Sequence, residues 1–304
     1  DLRGLAVIET PFACRDCLFE SAVDASEVVF KRSMELTGST IEGALKMRGA
    51  IFEGAALFSV PDKPSTFGGR LDFSLVVFND IASFEEATFN ERAAFSSTRF
   101  LGDASFSLAT FLASASFAGA VFAQEAAFPA TATSDPAKQE KEVVRGGLCA
   151  SEGSAAGQGA FEKAVTFDRA AFRSTADFRQ RCFGSRVRFA QTDFAKRVEF
   201  VQAEFLGGAT FDGARLTGGG TFRDAAFDRE TSFEDVTAGG NLDFTVATFL
   251  EDADFFGLSS DGALIFEDAI FAGPIDLGNL SAAGLVLAVD AVRHAAGNAE
   301  RRAV

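Results

Sequence analysis

Residues 67–128 read FGGRLDFSLVVFNDIASFEEATFNERAAFSSTRFLGDASFSLATFLASASFAGAVFAQEAAF. Phe recurs along this stretch in steps that alternate between six and five residues. Two residues before most of the rings stands a small side chain, as at Ala93 before Phe95 and Ala115 before Phe117. Side chains two apart point to the same side only in extended chain. The pattern therefore predicts short strands that turn a ring and a small residue inward.

The same spacing extends over most of the chain. It resumes at Phe161 and continues to Phe271, and a more varied version runs back from Phe58 to Cys14. Four successive steps make a coil of about 22 residues, so residues 22 apart should stack. At about 4.8 Å per coil, ten or eleven coils would form a rod roughly 50 Å long. The spacing predicts one ring ladder of Phe73, Phe95 and Phe117 and another of Phe161, Phe183, Phe205, Phe227, Phe249 and Phe271.

A right-handed supercoil of helices can also repeat every eleven residues. That alternative needs a continuous apolar stripe along a helix. Here Gly recurs throughout, and the helix-forming residues Leu, Lys and Glu are few. An extended chain that turns a corner every five or six residues explains the pattern better.

Several segments resemble pentapeptide repeats, whose pattern is a small residue, a variable one, a central Leu or Phe, and two variable ones. Examples are NERAAF at 90–95, LASASF at 112–117 and QAEFL at 202–206. The resemblance implies an all-β fold, a right-handed, four-sided parallel β-helix with the central and small residues inside. The chain would be a Phe-rich variant of this family with alternating 6/5 spacing.

The repeat also predicts the domain organisation. Residues 1–280 should form a single solenoid, interrupted at 129–160 by an insertion that contains PATATSDPAKQEKE and is expected to be flexible. A smaller interruption spans 59–66. Residues 281–304 are predicted to form a short C-terminal helix that serves as a cap or tail. The helical spacing rests on Leu285, Val289, Val292 and Ala296.

Charge and cysteine content restrict the function classes. The chain has 43 acidic and 28 basic residues and a net charge of -15, which disfavours direct binding to nucleic-acid phosphates. An acidic surface favours basic partners or the imitation of a polyanion. Only four Cys occur, which suggests a reducing, cytoplasmic location. The sequence has no span long enough to cross a membrane, and a membrane association is expected only if it belongs to a longer chain.

Few residues offer catalytic or metal-binding chemistry. Cys14 and Cys17 have CxxC spacing, but their offsets from the rings predict that both are small inward residues. No second Cys or His pair completes a zinc site. His294, the single histidine, falls in the predicted terminal helix. We therefore expect no enzyme activity, no metal and no cofactor.

One part of the chain is a candidate interaction surface. Acidic residues concentrate towards the C-terminal coils, although solvated outward positions would explain them as well. The residues are Asp228, Glu230, Glu234, Asp235, Glu251, Asp252 and Asp254. A band of bases precedes them, namely Arg173, Arg179, Arg181, Arg186, Arg188, Lys196 and Arg197.

Two functions follow as hypotheses. The first is a structural or protein-interaction scaffold with an unknown protein partner. The second is an acidic DNA mimic that binds a DNA-processing enzyme such as gyrase. The resemblance implies this second function, together with a homodimer formed through the C-terminal helix, but the basic band interrupts a continuous polyanion and weakens it.

Overall fold

The computed structural model describes residues 7–130 and 160–287, and in them all regular structure is β. The strands of the first range are β1 (Val7–Ile8), β2 (Phe12–Ala13), β3 (Leu18–Phe19), β4 (Val23–Asp24), β5 (Val29–Phe30), β6 (Met34–Glu35), β7 (Thr40–Ile41), β8 (Leu45–Lys46), β9 (Ile51–Phe52), β10 (Ala56–Ser59), β11 (Thr66–Phe67), β12 (Leu71–Asp72), β13 (Val77–Phe78), β14 (Ala82–Phe84), β15 (Thr88–Phe89), β16 (Ala93–Ala94), β17 (Arg99–Phe100), β18 (Ala104–Ser105), β19 (Thr110–Phe111), β20 (Ala115–Ser116), β21 (Val121–Phe122) and β22 (Ala126–Ala127).

The strands of the second range are β23 (Ala160–Phe161), β24 (Val165–Thr166), β25 (Ala171–Phe172), β26 (Ala176–Asp177), β27 (Cys182–Phe183), β28 (Val187–Arg188), β29 (Asp193–Phe194), β30 (Val198–Glu199), β31 (Glu204–Phe205), β32 (Ala209–Thr210), β33 (Arg215–Leu216), β34 (Gly220–Thr221), β35 (Ala226–Phe227), β36 (Thr231–Ser232), β37 (Thr237–Ala238), β38 (Leu242–Asp243), β39 (Thr248–Phe249), β40 (Ala253–Asp254), β41 (Ser259–Phe266), β42 (Ile270–Phe271), β43 (Ile275–Asp276) and β44 (Ser281–Leu287).

The strands form parallel ladders in which each strand up to β37 pairs with the one four further along the chain, so a coil holds four strands. The long strand β41 takes two places in its coil and pairs with both β37 and β38. Two of these ladders matter below: ladder 3 starts at β3, ladder 4 starts at β4, and each contains 11 strands. Away from the two interruptions and the last strand, partners lie 22 residues apart, as in Phe89 with Phe111 and Thr231 with Ala253. The predicted parallel solenoid of about 22 residues per coil is therefore confirmed.

The phenyl rings stack in columns along the interior, as the spacing predicted. Ring centroids are 5.5 Å apart between Phe73 and Phe95 and 4.9 Å apart between Phe95 and Phe117. At the other end of the chain, Phe249 lies 4.8 Å from Phe271. The columns are almost entirely closed to solvent, which suits rings that carry no polar atom.

The structure explains the alternation of five and six residues. In a five-residue step the third residue after the ring closes a turn, as where Val76 N donates to Phe73 O at 3.2 Å. Leu75 inside this turn has a φ of 64°, the left-handed conformation that a type II turn requires at that position. A six-residue step, such as Phe78 to Phe84, has one more residue between the ring and the next small side chain, Ala82.

Hydroxyl groups replace alanine at a few inward positions, and each has an acceptor. Thr98 Oγ1 donates to Phe73 O at 2.7 Å, and Thr192 Oγ1 donates to Phe167 O at 2.8 Å. Both threonines are buried. A buried hydroxyl without a partner would cost stability. Here a backbone carbonyl of the preceding coil accepts the hydrogen bond.

The structure describes the whole of the shorter interruption, residues 59–66, but only the ends of the longer one. The shorter one folds back on itself through a bridge between Val60 and Lys63, and Lys63 Nζ pairs with Asp16 Oδ2 at 2.5 Å. Of the insertion predicted at 129–160, residues 131–159 lie outside the described residues. The ring columns continue across it, because Phe117 stacks on Phe167 at 4.9 Å.

The predicted C-terminal helix is wrong where the structure describes it. Residues Ser281–Leu287 form β44, which pairs in parallel with β41 and places Leu285 beside Leu264. The carbonyls and amides of β41 offer a ready ladder, and a strand that joins it satisfies its backbone without forming a new helix. Val289, Val292, His294 and Ala296 lie outside the described residues.

Candidate interaction surface

The seven predicted acidic residues lie together on one side of the solenoid, between ladders 3 and 4 and at the corner that follows. Thr231 pairs with Ala253 and Ser232 with Asp254, so Glu230 and Asp252 occupy equivalent places in adjacent coils. The structure adds Asp212 and Asp276, one coil away on either side. We call these nine residues the acidic face: Asp212, Asp228, Glu230, Glu234, Asp235, Glu251, Asp252, Asp254 and Asp276.

Crowding of like charges is visible at the centre of the acidic face. Desolvation raises the pKa of Glu234, and the carboxylates of Asp212, Asp254 and Asp235 raise that pKa further. The carboxyl of Asp212 also accepts a hydrogen bond from Ser232 Oγ. A site that holds carboxylates this close favours a cation in front of it.

One base lies within the acidic face. Arg229 Nη1 pairs with Glu251 Oε1 at 2.6 Å, and this hydrogen bond raises the pKa of Arg229. The second oxygen of Glu251 accepts from Glu230 N at 3.3 Å. Glu230, Glu234 and Asp252 are exposed, and the described residues contain no ion pair to any of them.

An exposed aromatic ring stands inside the acidic face. Phe256 is 43% exposed, and its amide donates to Asp254 Oδ1 at 2.8 Å. A Cβ on Gly278 would lie 2.9 Å from Phe256 Cδ2, so the ring rests against the bare backbone of the next coil. Leu250, 49% exposed, is the residue one coil after Asp228. In the sequence, Phe256 directly follows Phe255 and so does not fit the alternating spacing of the inward rings, which is the feature that marks it as an outward residue.

The predicted basic band does not form one positive surface. Arg173 pairs with Asp193 at 2.8 Å, and Arg188 pairs with Asp168 at 2.9 Å. Arg179 pairs with Asp177 at 2.6 Å, and Arg181 is fully buried in the core. Three of the seven bases are thus paired with acids and one is inside the solenoid.

Residues 65–107 match the family model for pentapeptide repeats, with 9 copies. The chain therefore contains pentapeptide repeats. The matched segment lies in the same ladders as the acidic face, which continues its coil geometry. None of the curated proteins is significantly similar to this chain.

Among solved structures, the chain matches trypsin-treated QnrB1, described as a plasmid-mediated fluoroquinolone resistance protein. The identity is 13%, the match covers 86% of this chain and 91% of that chain, and the TM-score is 0.22. This TM-score is too low for the match to support any conclusion about the present chain.

The CxxC pair of the chain is a disulfide between Cys14 and Cys17. The sequence placed both side chains inside as separate small residues, whereas they are half-buried and bonded to each other across the first five-residue corner. Ser39 Oγ bridges this corner, accepting from Cys17 N and donating to Cys14 O. Disulfides belong to oxidising environments, which disagrees with the reducing compartment suggested by the cysteine count.

The described residues offer neither a cluster of metal ligands nor a membrane-spanning helix. No group of three or more His, Cys, Asp or Glu side chains in residues 7–130 and 160–287 is arranged to hold a metal ion. In the same ranges, no helix could cross a membrane.

Proposed function

We propose that this protein is a non-catalytic scaffold whose acidic face binds a basic protein partner. The observation that carries the proposal is the convergence of nine carboxylates and the exposed ring of Phe256 on one side of the solenoid. Within that surface, Arg229 is paired with Glu251. The remaining carboxylates leave a strong negative potential in front of a rigid wall.

Both parts of this surface suit arginine and lysine side chains. Guanidinium groups form charge-assisted hydrogen bonds with carboxylates and stack on aromatic faces. Exposed aromatic residues are also the commonest anchors of protein interfaces. Because the ladder fixes the backbone of these residues at the coil spacing of about 4.8 Å, the partner's bases would meet acidic residues at a regular spacing.

A charge-matched pair of triple variants tests the proposal. The first variant carries Glu230→Gln, Glu234→Gln and Asp252→Asn, three exposed residues of the acidic face. The control carries Glu42→Gln, Glu91→Gln and Asp103→Asn, which are exposed acids elsewhere. The probe is a fluorescent nona-arginine peptide, measured by anisotropy at physiological salt. We expect the first variant to bind about fivefold more weakly and the control to bind like the wild type.

Equal losses in the two triple variants would contradict the proposal, because they would show attraction by net charge alone. Phe256→Ala separates the ring from the charges. This variant should bind the peptide more weakly than the wild type does. Its binding should have the same salt dependence as that of the wild type, since the substitution removes no charge. Normal binding by Phe256→Ala would remove the ring from the proposed site.

The alternative function is a DNA mimic that binds a DNA-processing enzyme such as gyrase, and it would use the same acidic face. From Asp212 to Asp276 the face extends over about three coil rises, roughly 14 Å. Arg186 stands in line with Glu230 towards the N-terminus. Duplex DNA carries a charge every ~1.7 Å without interruption, so this short face favours the scaffold. Inhibition of gyrase supercoiling at micromolar protein, lost in the acidic triple variant, would reverse that preference.

Further properties remain proposals. The right-handed, four-sided cross-section comes from the resemblance to the family. A homodimer was expected through a C-terminal helix, and β44 now occupies the beginning of that segment. The cytoplasmic location and a membrane association within a longer chain are likewise untested expectations.

A further inference from the structure

Arg181 occupies a position that the repeat reserves for small residues. It lies two residues before Phe183, where the equivalent residues of neighbouring coils are Ala109, Ala203 and Ala225. Its side chain is 0% exposed. A charged side chain is almost never fully buried unless it is paired, so its presence here needs a physical reason.

The guanidinium of Arg181 makes two contacts in the core. Nη2 donates to Ala109 O at 2.7 Å, and Cζ lies 4.2 Å from the ring centroid of Phe161. Nε and Nη1 have no hydrogen-bond partner among the described residues. Burial lowers the pKa of Arg181 to about 9, so the group is still charged at neutral pH.

These two contacts lie on opposite sides of the long insertion. Ala109 belongs to the last complete stretch of ladder 3 before residues 131–159, and Phe161 is where the chain re-enters that ladder. At this junction Phe111 pairs with Phe161, so ladder 3 continues directly from one side of the insertion to the other.

Arg181 donates to a carbonyl that accepts from a backbone amide in other coils. In other coils the equivalent carbonyl accepts from a backbone amide, as Ala87 O does from Thr110 N at 2.8 Å and Ala203 O does from Ala226 N at 3.0 Å. Among the described residues, the donor to Ala109 O is Arg181 Nη2.

We propose that Arg181 is a register lock, which fixes where the chain rejoins the solenoid after the insertion. Its donor satisfies the carbonyl on the N-terminal side of the junction, and its planar group covers the ring on the C-terminal side. A register slip would leave Ala109 O without a donor and the buried charge without its aromatic partner. Both losses are costly inside a core, so one arginine disfavours all other registers.

Amide hydrogen exchange read by mass spectrometry tests the lock. Arg181→Met replaces the guanidinium with an apolar side chain of similar length. In this variant, amides in residues 106–112 and 161–167 should exchange at least about tenfold faster than in the wild type. Amides in residues 73–100 and 222–255 should be unchanged. The matched control is Arg186→Met, an arginine on the outer wall, which should change neither set.

Unchanged exchange at the junction, or a uniform change along the whole solenoid, would overturn the proposal. Arg181→Lys covers the case in which Arg181→Met does not fold. Lysine keeps a charge and a donor but cannot stack flat on Phe161, so the junction should exchange at an intermediate rate. Junction exchange identical to that of the wild type in Arg181→Lys would also count against the lock.

Discussion

At the residue scale, the number of residues between a side chain and the next Phe of the repeat determines whether that side chain is buried or exposed. Arg181, two residues before Phe183, is fully buried, whereas Arg188, one residue before Phe189, is exposed. The same chemical group thus becomes a core element or a solvated charge by a shift of one place. This is the period-two alternation of extended chain applied in every coil.

Glu234 provides a pH-dependent prediction at this scale. Its folded pKa is raised above the ordinary value of 4.5, so the native state binds more protons than the unfolded state between these two pKa values. Stability should therefore fall as pH rises through this window, and the ionised carboxylate destabilises the fold at neutral pH. We expect Glu234→Gln to have a higher urea midpoint than the wild type near pH 7 and the same midpoint near pH 3.

Urea titrations at the two pH values check this prediction, with Glu42→Gln as the control from an exposed position outside the acidic face. A midpoint for Glu234→Gln that is unchanged near pH 7, or raised equally at both pH values, would show that charge crowding is not the cause.

At the element scale, a ladder gains stability from rings that stack on both neighbours. Phe95 has ring partners in the coils on either side, at 5.5 Å and 4.9 Å. Phe256 carries the same side chain on the outer wall, where it is 43% exposed. The two positions share one amino acid and differ only in burial and stacking.

The same substitution at both positions should therefore have very different effects. Phe95→Ala should lower the free energy of unfolding by about 3–5 kcal/mol, because it removes buried ring area and leaves a cavity. Phe256→Ala should change it by no more than about 0.5 kcal/mol. Urea denaturation followed by circular dichroism measures both, and similar losses in the two variants would contradict a dry ring column.

At the scale of the whole molecule, the solenoid is a one-dimensional array in which each coil contacts its neighbours. The parallel pairings connect strands of adjacent coils throughout the described residues. In such arrays stability is approximately a sum of coil terms and nearest-neighbour terms. Distant coils should then behave independently, although they belong to one continuous core.

Double variants test this independence. Phe95→Leu combined with Phe117→Leu alters two stacked rings, so their effects on unfolding free energy should deviate from additivity by about 0.5 kcal/mol or more. Phe95→Leu combined with Phe233→Leu alters distant coils and should be additive within about 0.5 kcal/mol. Equal coupling in the two pairs would mean that the solenoid unfolds with cooperativity beyond nearest neighbours.

Sequence reasoning succeeded where the repeat was regular and failed where it ended. The ring ladder follows from spacing alone, since residues 22 apart stack, as Phe73 does on Phe95. Phe256 was visible as an outlier, but its place among carboxylates required the coil register. The terminal strand was missed because Leu285 fits a helical spacing and a strand equally well, and only the open edge of β41 decides between them.

By itself, the sequence determined the parallel solenoid, its coil length and its ring columns, because Phe residues spaced alternately by five and six can all point inward only if the chain coils in this way. The tertiary structure decided what the spacing cannot encode: the pairing of Cys14 with Cys17, the burial of Arg181 against Phe161, and the neighbours of Phe256. These contacts form at corners, between coils and beside the interruptions. Which side chains meet there depends on the register of the whole ladder and not on the spacing of residues nearby in the sequence.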